Sequence, residues 1–181
     1  GLRAAGGRLE VRSAVGKGAQ VLVFLPRLRS TAEQSPDADA AQLQNMRLLL
    51  ADESPLFLEG MRTLLLARGV MVVGVAHDGL EACEKARLLR PDVVVMDIGM
   101  PRLNGLEAAR RIKAEFPGIK VVILTVSEKE ENLFEAIRSG ASGYLLKNLE
   151  ADEFCRQLAG LSRGETPLPP GMSTLLVHEF S

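Results

Sequence analysis

PDVVVMDIGMPRLNG, residues 91–105, is the stretch that decides the fold. Val93, Val94, Val95 and Met96 form an unbroken apolar run, the mark of a strand buried on both faces, and the run stops on the carboxylate of Asp97. Gly99, Pro101 and Gly105 then keep the backbone irregular, which puts Asp97 at a mouth, not inside a wall. A lone Asp at a strand end is ordinarily a turn former or a helix cap. Whether this one is a chemical group is decided by the residues around it.

The same texture repeats on both sides. Towards the N-terminus, 47–51 (RLLLA) reads as a short strand. Ser54-Pro55 then reads as a helix cap with Pro at the first helical position, and Phe57, Met61, Leu64 and Leu65 keep helical spacing until Gly69. Residues 70–76 are a second strand, and Asp78 with Glu81 opens a helix carrying Ala82, Ala86 and Leu89 that Pro91 ends. Beyond the opening stretch, Asn104 caps a helix with Leu106, Ala109, Ile112 and Phe116 that stops at Pro117-Gly118. Residues 120–126 form the fourth strand, and the next helix, with Leu133, Phe134 and Ile137, ends at Gly140. Residues 142–146 are the fifth strand and 149–161 the fifth helix. Five βα units within 46–162 predict an α/β fold: a doubly wound, five-stranded parallel sheet of flavodoxin-like strand order 2-1-3-4-5.

The flanks read differently. Residues 1–28 hold two strand-like runs, 9–13 and 19–25, joined through Gly16-Lys17-Gly18, which predicts a β-hairpin. A phosphate loop is rejected there, because Val11 stands where its first Gly belongs and Gly18-Ala19, with no Ser or Thr, follow Lys17. Residues 29–45 are polar and read as a linker. Residues 163–181 contain Pro167, Pro169 and Pro170 and then an apolar stretch, Met172 to Phe180, suited to a short helix that needs a partner. This segment reads as a linker towards an effector domain absent from the chain.

Composition narrows the function classes. The hydrophobic fraction is 46% with 4% aromatics and no Trp, which suits an interior of Val, Leu, Ile and Ala. A net charge of -1 and a pI near 6.2 leave no electrostatic footprint for nucleic acid or an anionic membrane. Cys83 and Cys155 are isolated and without metal-ligand spacing, as expected of free thiols, and His77 and His178 lack partners. With no signal peptide and no long apolar run, a cytoplasmic location is expected.

In such a sheet, ligands bind outside the carboxyl ends of the strands where the strand order reverses. The polar residues at those ends are Asp52 and Glu53 after the first strand, Asp97 after the third, Thr125 near the end of the fourth and Lys147 after the fifth. Taken singly, Thr125 is a strand residue, Lys147 a surface charge and Tyr144 a sheet-edge aromatic; their convergence is what points to chemistry. Three carboxylates together call for a divalent cation, and oxygen-only donors favour Mg²⁺, or Mn²⁺, over Zn²⁺. A metal-held carboxylate facing a Lys and a hydroxyl can accept a phosphoryl group.

Residues 46–162 resemble a response-regulator receiver domain. The resemblance is carried by Asp52-Glu53, Asp97-Ile98-Gly99-Met100-Pro101, Thr125 and Tyr144-Leu145-Leu146-Lys147. It implies that Asp97 is the phosphoacceptor, that Asp52, Glu53, Asp97 and the Gly99 carbonyl hold Mg²⁺, and that Lys147 pairs with the phosphoryl group. It implies Thr125 and Tyr144 as the switch, a histidine kinase as phosphodonor, and a homodimer on phosphorylation. Glu53 stands where many members have a second Asp. The phrase SGASGYLLKN and the tail RGETPLPPGMSTLLVHEF are most similar to the NarL/FixJ subgroup, whose linker precedes a LuxR-type helix-turn-helix. DNA contact and transcriptional control would then come only through that further domain. Residues 1–28, with Gly6-Gly7, Leu9, Val11, Gly16 and Gly18, resemble the C-terminal end of a histidine-kinase ATPase domain without its nucleotide-binding boxes. Two competitors are a pseudo-receiver that only binds and a haloacid-dehalogenase-like phosphatase. The phosphatase would need D-x-D after the first strand, where this chain has Asp52-Glu53-Ser54. A dinucleotide oxidoreductase lacks its G-x-G-x-x-G there.

Overall fold

The central strands are two-faced, and that sets the layers. In the computed structural model, which describes residues 8–13, 19–24 and 36–179, β3 (Arg47–Ala51) sends Leu48 and Leu50 to one side of the sheet and Leu49 and Ala51 to the other. β5 (Val93–Met96) repeats this with Val93 and Val95 against Val94 and Met96, and β6 (Lys120–Thr125) with Val122 and Leu124 against Val121 and Ile123. Every one of these side chains is buried, which is why the strands carry no polar alternation.

With β4 (Met71–Ala76) and β7 (Gly143–Leu146) the sheet is five-stranded and parallel throughout, in the order β4-β3-β5-β6-β7. Numbered from its own first strand, that is the expected 2-1-3-4-5. Helices α3 (Gly79–Leu89), α4 (Gly105–Glu115) and α5 (Glu130–Arg138) cover one face through Ala82, Ala86, Ala108, Ala109, Ile112 and Leu133. Helices α2 (Pro55–Ala67) and α6 (Ala151–Ser162) cover the other through Leu58, Leu65, Phe154 and Leu158.

The local signals act as expected, with one variation. Ser54 caps α2, its Oγ accepting from Phe57 N at 3.3 Å, and Asn104 caps α4 through Glu107 N at 2.9 Å. Asp78 accepts from Glu81 N at 2.9 Å, but Glu81 reaches back to the backbone N of His77, one residue before the cap. Gly69 and Gly140, at φ 82° and 85°, stop α2 and α5. Cys83 and Cys155 are free, and burial pushes both thiols up.

The flanks carry more structure than linkers do. β1 (Arg8–Ser13) and β2 (Ala19–Phe24) pair antiparallel, Arg8 opposite Phe24 and Ser13 opposite Ala19; the expected turn Gly16-Lys17-Gly18 lies outside the described residues. Within 29–45 stands α1 (Pro36–Leu43), which packs on α6 and buries Leu43. Its Ala residues and the Asp37 and Asp39 of its first turn are helix-compatible, and the polarity of the segment hid that. After α6 the chain crosses the edge of β7 and forms α7 (Met172–Glu179), whose Met172 is buried against the α3–α5 layer, with Leu168, Leu175 and Leu176 packed beside it. The partner that this apolar stretch needs is the sheet-side core itself.

Candidate functional site

The two acids are stapled to the sheet by its own ladder. Asp97 N donates to Ala51 O at 3.0 Å and Asp52 N donates to Ala76 O at 3.0 Å, so each carboxylate stands one residue past the end of a paired strand. Each then closes a turn of its own: Asp52 Oδ1 accepts from Ser54 N at 2.8 Å, and Asp97 Oδ2 accepts from Gly99 N at 3.1 Å. The remaining oxygens, Asp52 Oδ2 and Asp97 Oδ1, are the ones Lys147 meets. Behind Asp97 the loop is pinned by Gly105 N and Met100 N, both donating to Ile98 O at 2.8 and 3.0 Å. Gly105 lies against the main chain of Asp97, where a Cβ would fall 2.8 Å from the Asp97 carbonyl carbon. Arg102, at φ 65°, ties the loop to the cap of α3 through Asp78 at 3.2 Å.

Lys147 joins the acids. Its Nζ lies 2.5 Å from Asp52 Oδ2 and 3.5 Å from Asp97 Oδ1. The side chains are 3% exposed at Asp52, 13% at Asp97 and 16% at Lys147, dry enough for one ammonium to matter to both carboxylates. Lys147 is itself positioned by its backbone N, which donates to Thr125 O at 2.8 Å. The Phe57 ring, its centroid 4.4 Å from Nζ, closes the mouth from α2.

Thr125 is buried beside this group, its Oγ1 accepting from Ser127 N at 3.2 Å. Tyr144 is fully buried, and its hydroxyl donates to Ser127 O at 2.8 Å. Burial, with a smaller push from the Asp97 charge, raises the phenol to about 12. The 126–129 loop is therefore held from both sides, by Thr125 and by Tyr144.

The structure gathers Asp52, Asp97 and Lys147 and sets Thr125, Tyr144 and Gly99 around them. Glu53 is exposed and is not drawn into the cluster. Among the described residues no group of three or more His, Cys, Asp or Glu side chains converges to hold a metal. The donors that remain suit Mg²⁺ all the same, since that ion takes one or two carboxylates and keeps several waters. Two carboxylates, the exposed backbone of Gly99 and no soft ligand are such a set. The roles of Phe57 and Ser127 escaped the sequence reading. Phe57 carried a signal, an aromatic three residues past the cap Ser54; a carbonyl acceptor such as Ser127 O leaves none.

Residues 48–159 match the family model of the response regulator receiver domain, which is more than half of the chain. The chain belongs to that family. Besides matching the family model, the chain is 44% identical over 121 residues to the uncharacterized transcriptional regulatory protein YxjL of Bacillus subtilis, covering 66% of this chain and 56% of that protein. It is 39% identical over 137 residues to the oxygen regulatory protein NreC of Staphylococcus carnosus, covering 75% and 63%. The chain thus spans about 56% to 63% of the length of these curated relatives. Among solved structures, a LuxR-family two-component response regulator from Aurantimonas superposes with a TM-score of 0.70 at 31% identity, over 75% of this chain and 98% of that one. The isolated receiver domain of RcsB from Salmonella enterica, solved with the phosphomimetic BeF3-, gives 0.66 at 27% identity, over 73% and 99%. The receiver is therefore of the NarL/LuxR type, a phosphorylation-dependent signalling module of two-component systems. Among the described residues no helix is long and apolar enough to cross a membrane.

Proposed function

We propose that Asp97 is the phosphoacceptor. The supporting observation is the shared ammonium: Lys147 reaches Asp52 and Asp97 from a third strand, so positive charge is already in place where a phosphoryl group on Asp97 Oδ1 would bring its oxygens. A carboxylate oxygen of Asp97 attacks the phosphorus of a donor, the donor's bond to phosphorus breaks, and the leaving group departs with the electron pair. A phosphohistidine of a sensor kinase and a small acyl phosphate are both donors of that kind. Lys147 then neutralises the phosphoryl oxygens, and the Thr125 hydroxyl is the nearby donor that turns to them. Asp52, Asp97 and the Gly99 carbonyl would hold Mg²⁺, with Glu53 adding negative charge nearby, and the ion would supply positive charge against the charge that develops in transfer. The protein modifies itself and is not a turnover catalyst.

The output is a separate step from phosphoryl transfer. A phosphoryl group draws Thr125 inward, and because Ser127 N donates to Thr125 while Ser127 O accepts from Tyr144, the change passes through Ser127 to Tyr144 and on towards α5 and β7. The ring of Tyr144 is already buried in this structure, so the change passes through its hydroxyl bond and not through an inward swing of the ring. We place homodimerisation, DNA contact through an effector domain and transcriptional control downstream of that step. The RcsB dimers bound to DNA give a precedent in a similar protein.

Intact mass after incubation with acetyl phosphate and Mg²⁺ tests the reading. One phosphoryl group is expected on the native chain and none on Asp97→Asn. Phosphorylation of Asp97→Asn at another site residue overturns the assignment, no gain on the native chain makes the fold a pure binding module, and steady hydrolysis of phosphate esters makes it a phosphatase. Light scattering with beryllofluoride and Mg²⁺ is expected to show a mass increase in the native chain and a reduced one in Thr125→Ala; an unchanged native mass counts against dimerisation.

A further inference from the structure

Two segments outside the matched region 48–159 meet on α6. On one flank α1 lies against the helix and buries Leu43. On the other, the chain turns at Gly164 (φ 79°) and runs back along the edge of β7 as a strap, 163–179, ending in α7. The strap is fitted to its path. Glu165 N donates to Gly160 O at 3.0 Å, and the Glu165 carboxylate fills the place a Cβ on Gly160 would take. Tyr144 N donates to Pro167 O at 2.8 Å, with the Pro167 ring 3.0 Å from where a Cβ on Gly143 would stand. Arg138 meets Glu179 at 3.7 Å at the far end.

One side chain belongs to both segments. Arg163 Nη1 donates to Asp39 Oδ1 of α1 at 2.8 Å, across 124 residues of sequence, and its Nε donates to Glu165 Oε1 of the strap at 3.1 Å. The side chains are only 14% exposed at Asp39 and 25% at Arg163, and Arg163 Nη2 is buried without a hydrogen-bond partner among the described residues, so the guanidinium relies on these two carboxylates.

We propose that Arg163 is a clasp coupling α1 to the strap, so that whatever displaces one loosens the other. The guanidinium is a rigid fork, and removing one carboxylate leaves a poorly hydrated cation that must reorient, which disturbs its bond to the second. Coupling of this kind is reciprocal by thermodynamic necessity. It gives the strap, and through Pro167 the backbone of Tyr144, an input from the N-terminal side that does not pass through Asp97. The proposal does not rest on the phosphoacceptor assignment.

Hydrogen exchange by mass spectrometry on the whole chain tests it in both directions. Asp39→Asn, made in α1, is expected to speed exchange in peptides holding Glu165 and Tyr144 by about fivefold, the low end of couplings between sites, with the β5 and β6 peptides unchanged. Gly143→Ala, made under the strap, is expected to speed exchange across 38–43 by a similar factor. Arg163→Lys, which keeps the charge and loses the fork, is expected to loosen both segments. Effects confined to the mutated segment overturn the proposal, and so does a rise that spreads equally to β5 and β6, since that is global opening.

Discussion

Asp52 Oδ2 and Lys147 Nζ sit 2.5 Å apart, closer than Lys147 sits to the proposed phosphoacceptor, so the ammonium is anchored on the other acid. Asp97 is left with the looser, 3.5 Å contact and can take on a new group without dislodging the lysine. Lys147→Met strands two carboxylates in a dry mouth. A loss of about 3 kcal/mol in urea unfolding is expected, and Asp52→Asn in the same background restores part of it. If the double variant is no more stable than Lys147→Met, the pair is not coupled as described.

Mg²⁺ should stabilise the folded protein by mass action, about 1.4 kcal/mol at ten times its Kd. Asp52, buried at the mouth, is expected to matter more than exposed Glu53. In thermal melts Asp52→Asn should abolish the Mg²⁺ shift and Glu53→Gln should keep most of it. The reverse order would put Glu53 in the inner sphere of the ion.

Tyr144 gives a signature at alkaline pH. Its folded phenol is raised to about 12, above the ordinary value near 10, so its contribution to stability is complete below pH 10 and is lost as pH rises through 12. Stability of the native chain should fall over that window by on the order of 2 kcal/mol more than that of Tyr144→Phe. At neutral pH, Tyr144→Phe leaves Ser127 O without its donor and costs about 1 kcal/mol. Parallel curves for the two proteins would show that the phenol does not sense its burial.

Gly105 and Gly118 make a matched pair. A Cβ on Gly105 runs into the main chain of Asp97, while one on Gly118 meets nothing within 4 Å. Gly105→Ala should cost at least about 3 kcal/mol and slow phosphorylation by acetyl phosphate, whereas Gly118→Ala should stay within about 0.5 kcal/mol. Equal melting temperatures for the two variants would contradict the close approach.

The receiver fold was legible because its signals are local and redundant. Continuous apolar runs name the strands, and Ser54, Asp78 and Asn104 cap the helices where their side chains predict. Asp97 and Lys147 were legible for the opposite reason: a charge at the end of such a run breaks the pattern. Glu53 shows the limit, since neighbouring acids in sequence share no face at a strand end and only Asp52 turns inward. Helix α1 was missed because what makes it a helix in place is the groove on α6 and the guanidinium of Arg163, both more than a hundred residues away. The crossing of Pro167 over Gly143 was invisible for the same reason, as neither residue advertises the other.

That crossing also bears on colloidal behaviour. An outer strand of a sheet is a template on which another chain can grow, and β7 would be one. Pro167 answers with a carbonyl for the Tyr144 N–H and a ring that has no N–H to offer onward, so the ladder ends on the strap. Residues 163–179 thus shield the open edge, and a chain cut at Ser162 is expected to self-associate more readily than the longer one, as light scattering would read.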